Sequence, residues 1–173
     1  MATLTVTHTE DLTLNGVQQG TTNTLSISSI DGVYKRIVTV AAGVDTTVLN
    51  FEESTNVTAA ESGPSVGGTL HVDQVKYVRI TNLEGSNGCA INIIGDMADD
   101  DEDGTEEATD GIVALQLKAG HSLVLGEPKD MLQVADNAIT ILNFAALENI
   151  QRMVCEGGSN AIQLEIFVAI AFP

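Results

Sequence analysis

The carboxylate side chains of residues 96–110 are the groups in this chain whose types and spacing could bind a ligand. The segment reads DMADDDEDGTEEATD and holds nine of the chain's 24 acidic residues. Carboxylates at alternate positions followed by a glycine match the spacing of a calcium-binding loop, in which oxygen ligands surround one hard cation. The predicted ligands are four carboxylates and one backbone carbonyl, those of Asp99, Asp101, Asp103, Asp110 and Thr105 respectively.

This segment also departs from a calcium-binding loop. Asp110 stands where the terminal ligand is usually Glu, and Glu106 occupies a position that is normally apolar. The flanking sequences alternate as strands do, whereas helices flank an EF-hand loop. The alternative is a solvated acidic loop that binds no ion. We favour this alternative because a run of so many like charges matches short carboxylate patterns by chance. No other cofactor is indicated.

Catalytic motifs are not supported by the sequence around them. Residues 63–67 match the Gly-x-Ser-x-Gly pattern of a nucleophile elbow. That turn needs a preceding strand and a following helix, but here a polar loop precedes it and a predicted strand follows. His8, His71 and His121 are scattered, with no partner at the spacing of zinc ligands. We therefore expect that the protein is not an enzyme. The alternative is a cupin-like enzyme, which would need clustered histidines.

Composition limits the partners that the chain can bind. The formal net charge is −17, with only seven lysines and arginines, so we expect neither nucleic acid nor an anionic membrane as a partner. The N-terminus lacks the basic and apolar regions of a signal peptide, which favours assembly in the cytoplasm. Cys89 and Cys155 are then expected to be buried, reduced thiols, with a disulfide as the alternative.

Short alternating segments separated by turn residues predict an all-β protein. Residues 1–173 suit one domain, a β-sandwich for which we consider a jelly roll as the specific form. Two long surface loops are predicted, over residues 52–68 and 96–110. Residues 145–156 fit both a helix and a strand, and we favour the strand because the neighbouring segments are strands.

Turn residues predict how consecutive strands are connected. Residues 2–14 are predicted to form one strand that ends at the Asn15-Gly16 turn. Three further turns are predicted to join consecutive strands into pairs, at Asp31-Gly32, residues 84–88 and residues 119–121.

The last strand predicts self-association. From Ile166 onward apolar side chains lie on both faces, which is typical of a strand that is covered on two sides. The same strand exposed at a sheet edge would invite aggregation. We expect a homo-oligomer with this strand in the core or at the subunit interface, and the candidate interface residues are Ile166, Val168, Ile170 and Phe172.

Three stretches of the sequence together resemble small β-rich virion structural proteins of tailed bacteriophages. They read LTLNGVQQGTTNTLSISSIDGVYKRIVTV, KYVRITNLEGSNGCAINI and LQLKAGHSLVLGEP. None of them contains an active-site residue. The length and acidity of residues 96–110 depart from the pattern of these proteins.

This resemblance implies a non-enzymatic structural protein of a phage virion. We expect an oligomeric capsid decoration or cement protein, a trimer by the same resemblance, on the outer surface of a virion assembled in the host cytoplasm. Its partners would be further copies of itself and the major capsid protein or other virion proteins. The alternative is a neck-, tail- or fibre-associated β-sandwich that binds a receptor or a glycan.

A calcium titration separates the two hypotheses for residues 96–110. If the predicted ligands hold Ca²⁺, the ion stabilises the folded chain by about 2.7 kcal/mol at a hundredfold excess over Kd. Ca²⁺ then raises the Tm, EDTA lowers it, and Asp101→Asn with Asp103→Asn abolishes the difference. Glu102→Gln with Glu106→Gln, at positions that bind no ion in such loops, is the control. A calorimetric titration without heat, together with a Tm unchanged by EDTA, would contradict calcium binding and support the hypothesis of a solvated loop.

Overall fold

The computed structural model describes residues 1–52, 69–95, 111–126, 133–135 and 147–172. These residues form strands and one short 3-10 turn, which confirms the prediction of an all-β protein. They include no helix that is long and apolar enough to cross a membrane. The strands are β1 (Ala2–Thr9), β2 (Thr13–Leu14), β3 (Val17–Gln18), β4 (Thr22–Ile30), β5 (Gly32–Val40), β6 (Asp45–Glu52), β7 (Thr69–His71), β8 (Val75–Asn82), β9 (Cys89–Gly95), β10 (Gly111–Leu117), β11 (Ser122–Gly126), β12 (Gln133–Ala135), β13 (Leu147–Gly157) and β14 (Ile162–Ile170).

One sheet has the strand order β5-β14-β8-β11, and every neighbouring pair in it is antiparallel. We call it the four-stranded sheet. β14 lies inside this sheet and pairs along its whole length with β5, from Ile162 opposite Val40 to Ile170 opposite Gly32. On its other side β14 pairs with β8. β5 and β11 are the edge strands of this sheet among the described residues.

The other large sheet has the order β10-β9-β13-β6-β7. β12 pairs with the first residues of β13 and so belongs to the same sheet. β13 is central because it pairs with β9 on one side and with β6 on the other. A bulge interrupts the β13–β6 ladder: Met153 lies opposite Leu49 and Val154 opposite Thr47, so Val48 has no opposite residue.

The two sheets share one buried core. Strand side chains alternate between the two faces of a sheet, and on β14 it is Leu164, Ile166 and Val168 that join this core. The other sheet contributes side chains such as Ile91 and Met153. Aromatic residues are few, so the core is built mainly of branched aliphatic side chains, which pack well on pleated sheets. Their burial supplies the main stabilisation of the fold.

Residues 1–30 form an arm that belongs to neither large sheet. β1 pairs antiparallel with β4, and β2 pairs with β3. Backbone hydrogen bonds from Glu10 N to Thr21 O and from Gln19 N to Leu12 O lie between the two ladders and make the arm a continuous ribbon. The turn at its tip uses Asn15 and Gly16 with φ values of 51° and 77°, a conformation that these two residue types adopt most readily. The predicted strand over residues 2–14 is thus divided into β1 and β2.

The three predicted strand pairs at turns are wrong. β4 belongs to the arm and β5 to the four-stranded sheet, while β8 and β11 lie in the four-stranded sheet and β9 and β10 in the other. Each of these turns therefore carries the chain from one layer to another. Asp31 shows why a turn is not always a hairpin: its N–H donates to Ile170 O, and its carboxylate accepts from the N–H of Phe172. Its bonds lead to the end of β14 and not back to β4.

Other predictions about the chain have mixed outcomes. The preference for a strand over residues 145–156 is confirmed by β13. Residues 53–68 and 96–110, which include nearly all of the two predicted loops and the Gly-x-Ser-x-Gly motif, lie outside the described residues. The segment 96–110 connects two neighbouring strands, because Gly95 lies opposite Gly111 in the β9–β10 ladder.

Asn82 joins two connections at one end of the core. It is fully buried. Its amide nitrogen donates to the carbonyl oxygens of Asn87 and Leu117, at 2.8 and 3.3 Å, and its amide oxygen accepts from the N–H of Glu84. These bonds tie the β8–β9 connection to the end of β10. Buried polar groups need such partners, because leaving them unpaired costs free energy.

We expect Asn82→Ala to lower the free energy of unfolding by about 2–4 kcal/mol, because it removes three hydrogen bonds and leaves buried groups unpaired. Urea unfolding followed by circular dichroism measures this loss. The control is Asn23→Ala on the exposed surface of β4, for which we expect a change within about 0.5 kcal/mol. Equal stability of the two variants would contradict the role of Asn82.

Candidate functional site

The residues predicted to bind calcium lie outside the part of the chain that the structure describes. They are Asp99, Asp101, Asp103, Thr105 and Asp110. Calcium binding at this segment therefore stays a prediction of the sequence. Among the described residues, no three His, Cys, Asp or Glu side chains are grouped so that they could hold a metal ion.

The four candidate interface residues differ in their exposure to solvent. Ile166, Val168 and Ile170 are no more than 2% exposed and pack in the core of their own chain. These three are therefore not available as a surface for a partner, and the structure places them in the core, the first of the two positions that we expected for this strand. Phe172 follows β14 and is 37% exposed. Of the four, it alone offers surface to another molecule.

The outer face of the four-stranded sheet is the site that the sequence did not indicate. By outer face we mean the face turned away from the shared core. The base of the arm covers part of this face: Leu4, Val6 and Ile27 pack around Tyr77 and its neighbours in a second apolar cluster. The other members of this cluster are Ile30, Phe167 and Ala169. Both faces of β14 are thus covered, as the apolar residues on both of its faces predicted.

Glu165 connects two cations on the part of the outer face beside this cluster. Lys35 Nζ lies 3.0 Å from its Oε2 atom and Arg79 Nη2 lies 2.5 Å from its Oε1 atom. The hydrogen bond from Lys35, reinforced by that from Arg79, holds the pKa of Glu165 below its ordinary value. The Arg79 guanidinium also lies over the Phe167 ring, 5.5 Å from the ring centroid. The outer face therefore combines aromatic, apolar and cationic groups.

Arg36 lies on the opposite face of β5, toward the other sheet. Its Nη2 atom donates to the carbonyl oxygen of Val48 at 2.6 Å. Val48 is the extra residue of the bulge in β6, whose carbonyl lies where the ladder is interrupted. The guanidinium also lies 5.2 Å from the centroid of the Tyr34 ring. Arg36 thus links the two sheets where β5 and β6 approach each other. Lys35 and Arg79, in contrast, lie on the outer face.

The two cysteines are close together inside the core. Both thiols are free and buried, which confirms the expectation of buried, reduced cysteines. Cys89 lies opposite Gly157 and Cys155 lies opposite Ile91, so the two are diagonal neighbours on β9 and β13. Their thiols share a hydrogen bond, which together with burial and the nearby charges of Asp45 and Glu156 raises the pKa of Cys155. Burial makes both thiols unreactive, and the raised pKa adds to this effect at Cys155.

Three surface cavities are lined by residues that the structure describes. One of about 510 Å³ lies beside β9 and β10 and is lined by residues such as Ala90, Ala114 and Gln116. Another of about 430 Å³ lies beside β10 and β11, and its lining includes Leu115 and Leu123. A third of about 360 Å³ is lined by β4 and by Lys76 at the start of β8. At most one acidic side chain belongs to each lining.

Comparisons with protein-family models, with curated proteins and with solved structures found no significant match to this chain.

The ion pairs of Glu165 predict a pH dependence. Because the folded chain lowers the pKa of this carboxyl below the ordinary value of about 4.3, its ion pairs stabilise the fold above that pH and are lost as the pH falls through the folded pKa. NMR titration of the Glu165 carboxyl carbon should show the lowered pKa, and Lys35→Met should raise it. Lys118→Met, an exposed lysine at the β10–β11 turn, is the control. A pKa that is insensitive to Lys35→Met would contradict this arrangement.

Proposed function

We propose that this protein is a non-enzymatic structural subunit of a bacteriophage virion, and that it assembles as a homo-oligomeric, trimeric decoration or cement protein on the outer surface of the capsid. The observation that carries the proposal is the arm formed by residues 1–30. Its hydrogen-bonded ribbon exposes large apolar side chains at the tip. Apolar surface of this kind is stabilised when a partner removes it from water, so the arm suits a subunit of an assembly.

The strand order supports the same proposal. A jelly roll has two sheets of four strands each and consists of two Greek keys. We infer that the four-stranded sheet, β5-β14-β8-β11, is one of them and that β6-β13-β9-β10, within the other large sheet, is the second. Viral capsid proteins are among the proteins built on this fold, and lectins and cupins are others. Since one fold hosts many functions, the proposal depends on the arm and on the interior as well.

The space between the sheets favours a structural role over a cupin-like enzyme. An enzyme site needs a concave space with a few placed polar groups. In this chain, aliphatic side chains fill the interior between the two sheets, among them Ile91, Ile93, Met153, Leu164 and Ile166, which are all nearly or fully buried. Such an interior supports a rigid building block.

The net charge favours the outer surface of the virion. At −17, a subunit is repelled by packaged DNA, which is itself a polyanion. On the outside of a capsid the same charge faces solvent and keeps assembled particles apart. Contacts to the capsid and to other copies then have to use the few regions where the local charge is not negative.

Immunogold labelling of purified phage particles tests the proposal. Particles are banded by density from a lysate that contains this protein, and they are labelled with an antibody raised against the pure protein. We expect the protein in the band of DNA-filled particles, with gold distributed over the whole head. Antibody that has been absorbed with pure protein is the control.

Two other results are informative in this experiment. Gold confined to one vertex, the tail or a fibre would replace the decoration role with that of a neck, tail or fibre protein. Absence of the protein from the banded particles would contradict a virion role altogether.

A further inference from the structure

The tip of the arm carries an apolar face that its own chain leaves in water. Leu12, Leu14 and Val17 are 55%, 57% and 56% exposed. Leu14 lies opposite Val17 in the β2–β3 ladder, and Leu12 is two residues before Leu14, so the three share one face. The hydrogen bond from Gln18 Nε2 to Asp11 Oδ1 at 2.8 Å helps to hold the ribbon together. The tip is therefore a hydrogen-bonded hairpin that presents apolar side chains to solvent.

A second exposed apolar surface runs along β5 on the outer face of the four-stranded sheet. Val33 and Ile37 are 54% and 60% exposed, and the side chain of Lys35 between them is 55% exposed. These three share one face of an edge strand, because they are two residues apart. We call them the β5 stripe. The base of the arm covers Tyr77 and Ala169 on the same sheet but leaves the stripe uncovered.

The charges beside the two surfaces are complementary. The acidic side chains of Glu10 and Asp11 are exposed next to the apolar face of the tip. The stripe contains Lys35, and Arg79 lies nearby with Glu165 between them, so two cations lie on or beside the stripe. The chain has only seven lysines and arginines and a net charge of −17. A second copy is therefore repelled by most of the surface, and among the described residues this region is a place where an acidic tip is attracted.

We propose that the tip of the arm of one copy docks on the β5 stripe of a second copy of this chain. Leu14 and Val17 then pack on Val33 and Ile37, and the carboxylates of Glu10 and Asp11 approach Lys35. Tip and stripe are different surfaces, so the contact is head-to-tail, and each subunit gives its tip to one neighbour and its stripe to the next. Head-to-tail contacts close into rings when the rotation permits. The inference rests on the proposed homo-oligomer and assigns its contact surfaces.

Two double variants test the contact. The tip variant is Leu14→Ser with Val17→Thr, and the stripe variant is Val33→Thr with Ile37→Thr. Because each removes two apolar side chains from the contact, we expect self-association in sedimentation velocity to weaken about 100-fold in either variant. The matched control is Ile112→Thr, an equally exposed isoleucine on β10, which should associate as the wild type does. Circular dichroism and Tm confirm that all variants are folded.

A mixture of the two variants tests the head-to-tail arrangement. The tip variant keeps an intact stripe and the stripe variant keeps an intact tip, so the mixture has one functional contact for each pair. At concentrations where each variant alone is monomeric, we expect the mixture to form a one-to-one dimer that does not grow further. A mixture that associates no better than either variant alone, at any concentration up to the highest measured, overturns the head-to-tail contact.

The remaining outcomes separate this inference from the proposed function. If the wild type is oligomeric and both double variants associate equally well, the docking of tip on stripe is wrong and the homo-oligomer stands. If the wild type itself is monomeric over the whole concentration range, both the docking and the homo-oligomer are wrong. The gold labelling of virions does not depend on either result, because a monomer can also decorate a capsid.

Discussion

The burial of β14 on both of its faces is the constraint on which the rest of this structure depends. Its inner side chains, including Ile166 and Val168, fill the core between the sheets, and its outer residue Ala169 lies beneath the base of the arm. Burying one large aliphatic side chain contributes about 1.5–3 kcal/mol. The base of the arm is therefore part of the fold, because without it an apolar strand would face water. The tip extends from that base and is left with apolar side chains in solvent.

The net charge of the chain limits which of its surfaces can contact a second copy. A net charge of −17 with seven lysines and arginines makes most encounters between copies repulsive. On the outer face, Lys35 and Arg79 are held in place by Glu165, which fixes two cations beside uncovered apolar side chains. In the proposed contact, apolar packing supplies affinity and the two cations help to select the place. The same residues that order the outer face thus also make it, among the described residues, a suitable surface for the proposed acidic partner.

The sequence predicted the strands well because their signals are local. Short alternating segments predicted the all-β fold, and the apolar residues on both faces from Ile166 onward predicted the covered strand β14. The pairing of strands was not predicted, because the turn at Asp31-Gly32 looks the same in a hairpin and in a crossing between layers. The outer face was missed for a related reason: Lys35, Arg79 and Glu165 are far apart in the sequence and meet only through the register of β5, β14 and β8.

Contact between copies of the chain is most directly measured by NMR on a mixed oligomer, in which half of the subunits carry isotope-labelled methyl groups and half do not. Nuclear Overhauser effects filtered for contacts between labelled and unlabelled subunits report only distances across the interface. We expect them between the methyl groups of Leu14 and Val17 on one subunit and those of Val33 and Ile37 on its neighbour. An oligomer that gives filtered contacts elsewhere, and none between these two groups of residues, would contradict the account.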